Sequence, residues 1–205
     1  MASEVDIANL ALSRLADMAN ISIIDPPEGG TTAELVAQFL PIARDSMLQM
    51  HSWNFATKTS RLALLNEEPV EWDFMYKAPT GMVRALYVRS EQVGADQDFD
   101  YDVEVNSSGQ QVILSNAPSA YLKYVESVSD TTRFSPLFVD ALSWMLASHL
   151  AGPLIRGDLG RSAGQQCLKI AQTLIAQAVE ADVRQKHSRE GDKHLPSWMA
   201  WRTGV

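Results

Sequence analysis

The stretch Asp96-Gln97-Asp98-Phe99-Asp100-Tyr101-Asp102-Val103-Glu104-Val105 alternates, from Asp98 on, an acid with an aromatic or β-branched residue. Side chains of a strand point to opposite faces in turn. A single strand here would carry Asp96, Asp98, Asp100, Asp102 and Glu104 on one face. Around it lie further short runs rich in Val, Tyr and Phe: Met82–Arg89, Val112–Ser115 and Ala120–Glu126. Turn signals separate them, among them Pro79-Thr80-Gly81, Asn106-Ser107-Ser108-Gly109 and Asn116-Ala117-Pro118. Residues 53–127 therefore read as an antiparallel sheet or small barrel.

On both sides of that region the apolar period changes to three and four. Ser3 and Asp6 form a capping-box pattern, followed by Ile7, Leu10, Ala11, Leu15 and Met18 on one helical face. Asp25-Pro26-Pro27-Glu28-Gly29-Gly30 is a stop. A second helix is predicted from Thr31 to His51, with Thr31 and Glu34 as a capping box and Val36, Phe39, Leu40, Ala43 and Met47 buried. Pro41 predicts a kinked continuation. Ser135-Pro136 opens a third helix, with a capping serine and proline at its first position. A fourth is predicted over Ser162–Lys186, with Leu168, Ala171, Leu174, Ile175 and Ala178 inward. The expected fold class is α+β: a bundle of about four helices (residues 1–52 and 128–188), an antiparallel β insertion between helices two and three (53–127), and an extended C-terminal tail (189–205).

Composition narrows the function. The chain has 205 residues, 46% hydrophobic and 20% charged, with net charge −8. That size supports a core without staples, and the acidic balance opposes a sequence-reading nucleic-acid binder. The charge is unevenly spread. Arg184 to Val205 holds five basic and two acidic residues, net +3, on a body of 12 basic and 23 acidic, net −11. The basic segment ends in Trp198, Met199 and Trp201. The single cysteine, Cys167, excludes an internal disulfide, so synthesis in a reducing compartment is expected. The N-terminus carries Glu4 and Asp6 where a leader would carry bases. The most apolar run, Leu137–Ile155, is interrupted by Asp140, Ser143, Ser148, His149 and Pro153, so it reads as a buried helix and no membrane partner is expected.

Motifs for chemistry are sparse. His51, His149, His187 and His194 lack the spacing of a zinc helix, and no metal or cofactor is expected. His149 reads as a core-edge histidine and Cys167 as a buried inert thiol. Gly157-Asp158-Leu159-Gly160-Arg161-Ser162-Ala163-Gly164 reads as a loop and helix cap, with an anion cradle as its functional alternative. The D-x-D-x-D pattern from Asp96 lacks the glycine that a calcium loop needs at its sixth position. Nothing selects a catalytic carboxylate pair from the acids.

Several blocks carry a resemblance, among them Asp25-Pro26-Pro27-Glu28-Gly29 and Val83-Arg84-Ala85-Leu86. Phe39-Leu40-Pro41-Ile42-Ala43-Arg44-Asp45 is followed by His51-Ser52-Trp53-Asn54-Phe55-Ala56-Thr57-Lys58. Phe134-Ser135-Pro136-Leu137-Phe138 leads through Leu142-Ser143-Trp144-Met145-Leu146-Ala147 to Leu150-Ala151-Gly152-Pro153. With Met75-Tyr76-Lys77-Ala78-Pro79, these resemble the head-to-tail adaptor proteins of short-tailed bacteriophages, the group that includes tail tubular protein A. The resemblance implies a non-enzymatic virion protein made in the bacterial cytoplasm. It implies a ring, usually of twelve copies, beneath the portal protein, receiving the tail nozzle and extending a channel through which DNA passes without sequence-specific binding. Within that frame Trp198, Met199, Trp201, Arg202, His194 and Leu195 are expected to dock on the portal or a neighbouring copy. Asp96, Asp98, Asp100, Asp102 and Glu104 are expected to line the channel and repel phosphate. Arg44 and Asp45 are seam candidates, with local pairing as their alternative. A tail-associated peptidoglycan hydrolase using a carboxylate pair, and a small-molecule-binding regulator, are the rival readings.

Overall fold

Ser3 caps α1 (Glu4–Arg14): its hydroxyl accepts from the Asp6 N–H at 3.1 Å, and Asp6 Oδ2 accepts from the Ser3 N–H at 2.8 Å. The hydrogen bonds from Ser3 hold the exposed Asp6 carboxyl below its ordinary pKa, and the first helical turn adds a favourable dipole. The computed structural model describes residues 2–17, 20–67, 69–92 and 97–185. Three further helices follow, α2 (Thr31–Met50), α3 (Pro136–Ile155) and α4 (Gly157–Arg184). Among the described residues, eight strands lie between α2 and α3: β1 (Thr57–Arg61), β2 (Ala63–Leu64), β3 (Phe74–Lys77), β4 (Met82–Ser90), β5 (Asp98–Phe99), β6 (Tyr101–Val105), β7 (Gln111–Ser115) and β8 (Ala120–Glu126). The architecture is the expected α+β bundle with a β insertion.

The bundle is built around α3. Its residues are apolar almost all round, which suits a helix with neighbours on every side. Phe138, Ala141, Leu142, Leu146, Ala147, Leu150 and Ala151 are buried, and α1, α2 and α4 pack on it. Ser135 accepts from the Phe138 N–H at 3.3 Å, with Pro136 at the first helical position, as the sequence predicts. In α2 the N-cap is Gly30, without a side-chain bond, so Thr31 and Glu34 do not form the expected capping box. The helix runs unbroken through Pro41, which sits on the exposed face. Leu10 and Leu168 face outward, at 38% and 37% exposure, while Leu12 and Cys167 take inward places.

The largest departure among the helices is at the start of α4. Gly157–Gly164 is the opening of the helix and not the expected loop. Gly160 and Gly164 lie one turn apart on the side facing α3. A Cβ at Gly160 would stand 2.8 Å from the Ala151 carbonyl oxygen, and one at Gly164 3.1 Å from that of Ser148. The glycines let two backbones approach directly after a one-residue connection, Arg156.

The strands form two antiparallel sheets, ordered β1-β8-β4-β5 and β2-β3-β7-β6. Only Leu62 separates β1 from β2, and only Asp100 separates β5 from β6. The chain thus crosses from one sheet to the other along both edges and closes a barrel-like sandwich. Val88, Leu122 and Tyr124 from the first sheet meet Tyr76 and Ile113 from the second. The Tyr76 hydroxyl donates to the Ala117 carbonyl at 2.6 Å, and burial pushes its pKa up.

This closure corrects the reading of the acidic run. Phe99 and Tyr101 both pack on the inner layer, so the alternation survives the corner at Asp100. The outer faces of the two sheets point in opposite directions, however. Asp98 belongs to one and Asp102 and Glu104 to the other; no single five-acid face forms. Asp96 lies outside the described residues.

Gly160→Ala should lose stability although alanine favours helix by about 1 kcal/mol. The clash with a backbone carbonyl is an overpacking of about 1–3 kcal/mol. A lowered urea midpoint with unchanged slope would register the net loss.

Candidate functional site

The segment between α2 and β1 joins the two halves of the molecule. Trp53 is fully buried, and its indole Nε1 donates to the Met47 carbonyl at 2.9 Å. Met47 belongs to the last turn of α2, where carbonyls have no helical partner. The Trp53 ring meets Phe138 edge-on at 5.0 Å and Phe55 at 5.9 Å. Phe134 closes the cluster, 5.4 Å from Phe55 and 4.8 Å from Phe138. Aromatic pairs at these separations add about 0.5–1.5 kcal/mol each beyond burial.

The other side of the same segment holds the end of α4. The Asn54 N–H donates to the Asp182 carboxylate at 3.1 and 3.3 Å, and Asn54 Nδ2 donates to the Asp182 carbonyl at 2.8 Å. His51 Nε2 lies 3.1 Å from Asp182 Oδ2, and its ring meets Trp53 edge-on. Asp182 is nearly buried, so these bonds replace the water it gave up. Arg133 donates to the Phe55 carbonyl, and Lys58 Nζ pairs with Glu126 at 2.6 Å. One short segment therefore fastens α2, β1, β8, α3 and α4.

From sequence, His51–Lys58 stands out only through its resemblance, and Asp182 is missed. Its signal was present: Asp182 continues the inward stripe of Ile175 and Ala178 at helical spacing, and an acid on an apolar face must find donors.

Arg44 and Asp45 are engaged within the chain. Arg44 Nε donates to Asp45 Oδ1 at 2.9 Å and its guanidinium lies 3.8 Å from Glu4; Asp45 also accepts from Ser127 at 2.9 Å. Asp98 pairs with Arg89 at 2.6 Å. Asp100, Asp102 and Glu104 are exposed. His194, Leu195, Trp198, Met199, Trp201 and Arg202 lie outside the described residues, as does His187.

Cys167 is buried, and burial pushes its thiol pKa up, which disfavours the nucleophilic thiolate. His149 stacks on Phe39 at 5.8 Å. Among the described residues no group of three histidines, cysteines or carboxylates is close enough to hold a metal ion. No protein-family model matches the chain, and no curated protein matches it in sequence.

Asp182→Ala should cost about 1–3 kcal/mol, because it leaves the partly buried Asn54 N–H without its acceptor; chemical denaturation would measure it. His149 provides a pH test. Burial holds its pKa below the ordinary value, so the unfolded chain takes up a proton first. Stability is full above about pH 6.5, the ordinary imidazole pKa, and falls as pH drops below it. His149→Gln should show a smaller loss between about pH 7.5 and about pH 5 than the unaltered protein.

Proposed function

We infer that this chain is a head-to-tail adaptor of the short-tailed phage type, a structural protein that forms a ring beneath the portal and receives the tail. One observation carries the reading. Two of the blocks that bear the resemblance, Trp53-Asn54-Phe55-Ala56 and Phe134-Ser135-Pro136-Leu137-Phe138, are far apart in sequence yet meet at the joint between bundle and β module, and Asp45 reaches Ser127 there. A ring part needs its two halves fixed at one angle, because every copy must present the same surfaces to its neighbours. A buried aromatic cluster with a paired acid at its rim supplies that rigidity.

The chain's charge supports the same use. A net charge of −8 keeps a passing phosphate backbone from adhering. Asp182 anchors the last turns of α4, the helix that precedes the indole-bearing segment 189–205 in the sequence. In this reading that segment docks on the portal, the tail nozzle seats on the completed ring, and the protein resides in the neck of the virion.

Electron microscopy of the protein mixed with the portal protein of the same virus tests the reading. A closed ring stacked on the portal is expected, and a chain lacking residues 190–205 should fail to attach. Portals that stay bare with the full chain would contradict the function.

A further inference from the structure

The two outer faces of the β module differ in chemistry. On the sheet ordered β1-β8-β4-β5, Tyr87, Arg89, Tyr121 and Lys123 share the outward side with Arg61, by alternation from buried Val88 and Leu122. The Arg89 guanidinium lies 4.4 Å over the Tyr87 ring, and Lys123 Nζ 5.3 Å from its centre. Arg89 pairs with Asp98, and Arg61 lies 3.7 Å from Glu91. An open cleft of about 420 Å3 runs between Tyr87 and Tyr121. Tyrosine and arginine are enriched where proteins meet. A ring already clasped by two cations loses little freedom on binding.

The opposite face is acidic. Asp102 and Glu104 are exposed on β6, an edge strand whose Val105 is 67% exposed. Glu104 borders an open cleft of about 440 Å3 with Glu71 and Trp72 at its rim and Met75 and Leu114 at its floor. Lys77 is the cation that shares this face. Because the inner sides of the two sheets meet, the two outer faces look away from each other. One copy cannot bring them together, but successive copies can.

We propose that the Tyr87–Lys123 face of one copy docks on the Asp102–Glu104 face of the next, with Lys123 and Arg61 opposite the two carboxylates. This rests on the adaptor reading and names the seam of its ring. Such a contact joins unlike surfaces, so it propagates in one rotational sense and closes into a ring when the angle permits. It assigns Asp102 and Glu104 to the seam rather than to the channel.

Paired charge reversals test it. One variant carries Arg61→Glu and Lys123→Glu; the other carries Asp102→Lys and Glu104→Lys. Arg61, Asp102 and Glu104 are exposed and Lys123 is half-buried, and circular dichroism would verify that each variant folds. Assembly is followed by sedimentation and by ring formation on the portal. Each variant alone should assemble more than about tenfold less readily, since like charges then face each other. Mixed in equal amounts they should recover, because each acidic face again meets a basic one. Variants that assemble as well alone as the unaltered chain would overturn this seam and leave the ring standing. An equal mixture that fails to recover would also overturn it. An unaltered chain that forms no assembly in either measurement would overturn the adaptor reading, and the seam with it.

Discussion

A buried indole must satisfy its N–H without water, and Trp53 does so on the carbonyl of Met47, in the last turn of the helix that precedes it. That bond turns the chain sharply where α2 ends and delivers the ring among Phe55, Phe134 and Phe138. The rest of the arrangement depends on this placement. With the ring there, Asn54 faces the end of α4 and Phe55 faces the start of α3. Asp182 then closes the joint from the far side. A rim of one carboxylate with several donors is more directional than apolar packing alone, because each bond fixes an angle as well as a distance.

Much of this was legible in the sequence, for physical reasons that differ by element. The ends of α1 and α3 were readable because Ser3 and Ser135 cap through short local bonds that need no knowledge of the fold. The strands β4, β7 and β8 were readable because they are short runs rich in Val, Leu and Tyr bounded by turn residues, even though burial does not alternate strictly along them and four successive residues of β7 are buried. Short β1, β2 and β3 were not found. β1 and β2 are mostly exposed, and all three are fixed by neighbours in their own sheets, β1 by β8, β2 by β3 and β3 by β7, which local sequence does not reveal. The glycines of Gly157–Gly164 misled because glycine serves a loop and a close helix contact equally well, and only α3's carbonyls tell the two apart.

The acidic run teaches a related lesson. Period two persisted across Asp100, so a pattern reading had no reason to divide it. A one-residue corner preserves which residues face inward while changing which sheet they face inward from. Side-chain alternation encodes inside against outside; it does not encode which outside. Dividing the run gave the β module two opposed faces of unlike charge, the geometry a head-to-tail assembly requires.

Trp53 holds bundle and β module as one body. Hydrogen exchange on Trp53→Phe, which keeps an aromatic ring and loses the N–H, addresses it directly. Faster exchange is expected together at the end of α2, in β1 and β8, and in the last turns of α4. Faster exchange confined to the residues beside position 53, with β8 and α4 as protected as before, would contradict it.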